Sequence, residues 1–70
     1  SADLELVRRA FTTIILEGNE TLAQIANVVK ERYGYSESWT RTVLRELTQK
    51  GVLSRARTGR GYKYSTRNHG

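Results

Sequence analysis

The stretch Ser36-Glu37-Ser38-Trp39-Thr40-Arg41-Thr42-Val43-Leu44-Arg45-Glu46-Leu47-Thr48-Gln49-Lys50-Gly51, continued at once by Val52-Leu53-Ser54-Arg55-Ala56-Arg57-Thr58-Gly59-Arg60-Gly61-Tyr62-Lys63-Tyr64, decides the architecture of this chain. Its first part has firmly apolar residues only at Val43, Leu44 and Leu47, with Thr40 one turn earlier, which is the spacing of a single helical face. Ser36 is a residue type that caps a helix start, and Gly51 one that follows a helix end. The pattern predicts a helix over 37–50 that buries a narrow stripe. Its opposite face carries Ser38, Arg41, Thr42, Arg45 and Gln49, all of them hydrogen-bonding groups.

The second part reads as a hairpin. Val52 to Arg57 forms one strand, Thr58-Gly59-Arg60-Gly61 supplies the turn, and Tyr62-Lys63-Tyr64 returns. Both glycines of the turn are expected to accept positive φ. The two tyrosines fall on one face of the return strand and Lys63 on the other. Such tyrosines can stack on bases, but both are read as pinning the hairpin to the core. Ser65 to Gly70 is polar and is expected to fray.

Two helices precede this unit. Leu4, Val7, Phe11, Ile14 and Ile15 share one face of a helix over about 3–17, which Gly18 can end. Thr21-Leu22-Ala23-Gln24 has the form of a capping box, in which the threonine oxygen and the glutamine side chain satisfy each other's backbone N–H groups. It opens a second helix whose stripe is Leu22, Ile25, Ala26, Val28 and Val29 and which closes at Gly34. A short capped helix, a glycine-containing turn and a second helix make a helix-turn-helix. The expected class is α+β, mainly α: three helices and a C-terminal two-stranded wing, a winged helix-turn-helix over 1–66 with a polar tail at 67–70.

The 70 residues make one domain with a small core. There is no cysteine, so neither a disulfide framework nor a thiolate metal site is open to it, and a reducing interior, the nucleoid-associated cytoplasm, is expected. The longest nearly apolar run, Phe11 to Leu16, is far below the ~20 residues that cross a bilayer. The chain opens on Ser1 and has no methionine, which reads as a piece of a longer protein.

Charge is divided unevenly. Residues 1–35 hold four basic and five acidic side chains, a net of −1, whereas residues 36–70 hold eight basic and two acidic, a net of +6. That asymmetry is the footprint of a polyanion binder. Nine of the twelve basic residues are arginine, whose planar fork fits phosphate and guanine edges. Base edges in the major groove are read by Arg, Asn, Gln, Ser and Thr on a helix. The residues expected to contact double-stranded DNA are therefore Ser36, Ser38, Trp39, Thr40, Arg41, Thr42 and Arg45 on the helix and Arg55, Arg57, Arg60, Gly61 and Lys63 on the wing. Trp39 carries two readings: contact with a sugar or thymine methyl, or packing against Tyr35, Val43 and the second helix.

From Tyr35 to Ser65 the chain resembles the penicillinase-repressor family. That family shows an aromatic residue, a Thr/Arg-rich recognition helix, a Leu-x-x-Lys-Gly ending and a Gly-Arg-x-x-x-Tyr wing. Tyr35, Arg41-Thr42, Leu47-Thr48-Gln49-Lys50-Gly51 and Gly59-Arg60-Gly61-Tyr62-Lys63-Tyr64 stand at matching spacing without a gap. Tyr35 replaces the usual Trp, Trp39 the usual Thr, and Glu46 a frequent Arg. The resemblance implies a winged helix and DNA binding in a transcriptional regulator of repressor type. It does not carry over antibiotic or copper sensing.

No enzyme is read here. The hydroxyls have no His or Cys base within the fold, the single His69 lies in the tail, and Gly59-Arg60-Gly61 joins two strands rather than opening a helix. No cofactor, metal or small-molecule site is expected. The domain is expected to be monomeric by itself, with no surplus apolar face. Two rival readings are a winged helix that docks an acidic protein, and the DNA-binding part of a replication, partition or recombination protein.

Overall fold

The computed structural model describes residues 3–67. Its elements follow in the order α1 (Leu4–Leu16), α2 (Leu22–Tyr33), α3 (Glu37–Gln49), β1 (Leu53–Thr58) and β2 (Gly61–Thr66). Each helix starts on a side-chain oxygen. Asp3 accepts from the Glu5 N–H at 2.9 Å, and Ser36 accepts from the Trp39 N–H at 3.1 Å. At Thr21 the full capping box forms: Thr21 Oγ1 accepts from the Gln24 N–H, and Gln24 Oε1 accepts from the Thr21 N–H, both at 3.2 Å. On the first turn of α1, Arg8 bonds both oxygens of Glu5 and holds that carboxyl below its ordinary range.

The end of α3 positions everything after it. Gly51 takes φ +79°, a conformation that a Cβ disfavours. This lets its N–H bond the Thr48 carbonyl at 3.1 Å while the Val52 N–H bonds that of Leu47 at 2.9 Å. The paired bonds are a Schellman motif, and they turn the chain directly from α3 into β1.

The core lies where the three helices meet the base of the hairpin. Phe11, Ile14 and Ile15 come from α1, Ile25 and Val29 from α2, Val43, Leu44 and Leu47 from α3, and Leu53 and Tyr64 from the strands. Of the other residues in the expected helical stripes, Ala26 is buried, and Val7, Leu22 and Val28 are partly buried and pack against this set. Leu4 is about half exposed, because it borders a shallow cleft beside Trp39 and Val43 instead of filling it.

The strands pair antiparallel, with Leu53 opposite Thr66, Arg55 opposite Tyr64 and Arg57 opposite Tyr62. The return strand is longer than its sequence suggests. Ser65 and Thr66 do not fray; they pair with Ser54 and Leu53, and the Arg67 N–H bonds the Val52 carbonyl at 3.3 Å. The reason is the Schellman turn, which leaves Val52 and Leu53 with ladder partners to find. His69 and the rest of 68–70 lie outside the described residues. The outer edge of β2 is also engaged. The Tyr64 N–H bonds the Glu20 carbonyl at 2.8 Å, and Thr21 pairs with Lys63. The start of α2 is thus tied to the wing.

Candidate nucleic-acid interface

Four buried residues of α3, Thr40, Val43, Leu44 and Leu47, fix its rotation. At 100° per residue the opposite face is then Ser38, Thr42, Arg45 and Gln49, with Arg41 and Glu37 on the flank toward α2 and the wing. All six are exposed. Ser38 and Thr42 are linked, since the Thr42 hydroxyl donates to the Ser38 carbonyl at 3.2 Å. Arg41 Nη2 donates to Glu37 Oε2 at 3.0 Å, one helical turn back. Ser36 stands at the head of this face, its oxygen engaged by the Trp39 N–H.

Two of the expected contact residues leave the face. Thr40 is fully buried and its hydroxyl donates to the Ser36 carbonyl at 3.1 Å. Its place in the stripe of Leu44 and Leu47 outweighs its polarity, because the helix itself satisfies the hydroxyl. Trp39 takes the packing reading. It stacks on Tyr35 with ring centroids 4.3 Å apart, meets Phe11 at 6.0 Å, and sits on the flank toward α1.

The wing keeps its expected cations exposed: Arg55, Arg57, Arg60 and Lys63. Its turn is the four residues expected. Thr58 pairs with Gly61, which leaves Gly59 and Arg60 as a two-residue loop. Only Gly59 has positive φ, +56°, at the first central position as in a type II′ turn, so Gly61 is an ordinary exposed strand residue. Tyr64 pins the wing base to the core, but Tyr62 does not. Tyr62 is 38% exposed and carries the guanidiniums of Arg55 and Arg57 over its ring. It lies two residues further out along the strand, past the end of the core. Lys63, on the opposite face, approaches Glu20 at 3.9 Å.

The two elements share one side of the molecule. A cleft of about 410 Å³ is lined by Thr21, Leu22 and Ala23 of the α2 start, Glu37 of α3, and Thr58, Gly61, Tyr62 and Tyr64 of the wing. The sequence does not mark Glu37 as a contact residue, and it marks Tyr62 only as a residue pinning the hairpin to the core. The signal for Glu37 was its i,i+4 spacing to Arg41. Among the described residues, Arg45, Arg55, Arg57 and Arg60 have no carboxylate within ion-pair distance, whereas Arg8, Arg9 and Arg32 on the first two helices all do.

A family model for the penicillinase repressor matches residues 8–69. The chain belongs to the penicillinase-repressor family. Membership gives it the family's general character, a winged helix-turn-helix DNA-binding domain of a transcriptional repressor. The match takes in α1 from Arg8 onward and all of α2, α3 and the wing, well beyond the segment from Tyr35 to Ser65. No curated protein and no solved structure matches the chain. No helix among the described residues is long and apolar enough to cross a membrane.

Proposed function

We propose that the domain binds double-stranded DNA sequence-specifically, with α3 in the major groove and the wing on flanking backbone or in the minor groove. Ser38, Arg41, Thr42 and Arg45 face the base edges, with Ser36 at the first phosphate. Arg55, Arg57, Arg60 and Lys63 grip the flank. The observation that supports this reading is that Arg45 on α3 and Arg55, Arg57 and Arg60 on the wing have no acidic partner among the described residues. Cations left without an acidic partner are free to be neutralised by a polyanion.

Salt titration tests this. Neutralising about six phosphates gives a slope of log affinity against log salt of roughly −4 to −6. Duplex affinity is measured between about 50 and 200 mM salt. A flat profile, or no duplex binding at low salt, overturns the reading and favours an acidic protein partner.

A further inference from the structure

We propose, on the strength of the duplex-binding reading above, that Glu37 and Arg41 act as one base-reading unit for a guanine and the exocyclic amino group of a neighbouring cytosine. The two are joined at 3.0 Å through Glu37 Oε2, and both side chains are more than half exposed. An exposed ion pair of this kind does little for stability. It does restrain where the guanidinium sits. Arginine has five N–H donors, and the bond to Glu37 takes one. The others are free to fork onto O6 and N7 of guanine. A side chain already held has less rotational freedom to lose on binding. Glu37 is therefore a positioning residue for Arg41.

The other oxygen, Glu37 Oε1, has no hydrogen-bond partner among the described residues. A carboxylate only accepts. Major-groove donors are the amino groups of cytosine and adenine, whereas guanine and thymine present acceptors there, and Glu characteristically takes cytosine N4. Glu37 is the first residue of α3, and the N-terminal residues of a recognition helix are those that reach base edges. It lines the cleft that it shares with Ala23, Thr58 and Tyr62. The ordinary account of a glutamate here is favourable interaction with the helix dipole and an i,i+4 partner. Both would be met on any face of the helix. On this flank, among the cations of α3 and the wing, a negative charge weakens phosphate binding. Base selection is what sets this flank apart.

The test is selection of bound duplexes from a randomised pool by the wild-type domain, Glu37→Gln, Glu37→Ala and Arg41→Ala, with helicity checked by circular dichroism. The wild type is expected to select a guanine column beside a cytosine column. Glu37→Gln, which keeps shape and loses charge, is expected to lose about tenfold of the discrimination at the cytosine column while binding arbitrary duplex more tightly. Glu37→Ala is expected also to flatten the guanine column, as Arg41→Ala does. A guanine column that survives in Glu37→Ala means Arg41 reads unaided and overturns the joint unit. Tighter binding in both Glu37 variants with unchanged columns overturns the inference and leaves the duplex reading intact. Failure of the wild type to retain any duplex overturns the duplex reading itself, and the inference with it.

Discussion

The guanidinium carbon of Arg55 lies 4.2 Å from the centroid of the Tyr62 ring. The pair is diagonal across the hairpin, since Arg55 stands opposite Tyr64 and Tyr62 opposite Arg57. Arg57 also reaches the ring, at 5.8 Å. One exposed aromatic therefore orders two cations that like-charge repulsion would otherwise spread.

The ring, not the hydroxyl, supplies this ordering. Tyr62→Phe should bind duplex as the wild type does. Tyr62→Ala should weaken all duplexes about two- to fivefold, as expected for loss of roughly 0.5–1 kcal/mol of exposed cation–π contact. Thermal melting should change little, because Tyr62 lies beyond the core. Equal loss in Phe and Ala variants would make the hydroxyl itself a contact.

Reading and gripping should separate between α3 and the wing tip. Arg45, on the centre of the exposed face of α3, has no ion-pair partner among the described residues. Arg45→Ala should cost about 1–3 kcal/mol of discrimination at one base pair. Arg60→Ala should weaken matched and mismatched duplexes alike and make the salt slope shallower by roughly 1. Titrating both variants on matched and mismatched sites decides it. The reverse pattern would mean that the two elements have exchanged roles.

Helix bounds were legible in the sequence because capping is local chemistry: Asp3, Thr21, Ser36 and Gly51 act within four residues of themselves. The site was legible only in part. The cationic face of α3 follows from periodicity once its stripe is known. Thr40 reads as a contact when its residue type is weighed above its position on that wheel, whereas for Trp39 the sequence leaves packing and contact both open. The stack of Tyr62 on Arg55 depends on strand register, and the register depends on a two-residue turn that two nearby glycines leave ambiguous. The length of β2 depends on where the Schellman turn delivers Val52.

The burial of Thr40 sets up a sharp contrast on α3. Its hydroxyl bonds only the backbone of its own helix. Thr40→Val keeps the shape and removes one hydrogen bond, so it should cost no more than about 1.5 kcal/mol and leave duplex affinity unchanged. Leu44→Ala, at a site with no exposure, should cost about 2–5 kcal/mol. In a domain with about 5 kcal/mol in total, that approaches unfolding. Denaturant titration measures both, and duplex binding measures the first. A Thr40→Val variant that folds but loses specificity would place Thr40 in the interface after all.

The last prediction concerns self-association. The surface does have a surplus apolar patch, contrary to the expectation from sequence. Leu6 is 63% exposed, Tyr33 51% and Tyr35 46%, around a cleft of about 270 Å³ that also borders Trp39. Helical periodicity missed it because Tyr33 and Tyr35 flank the turn between α2 and α3 and belong to no stripe. Its size still argues against a stable dimer. A half-exposed tyrosine offers on the order of 100 Å², so the patch totals a few hundred. Stable interfaces take about 800 Å² from each partner. We expect sedimentation of the 70-residue domain at low-micromolar concentration, without DNA, to give the mass of one chain, and Leu6→Glu to leave that mass unchanged. A dimer that Leu6→Glu dissolves would show that α1 and the two tyrosines bury more area together than one face of the monomer reveals.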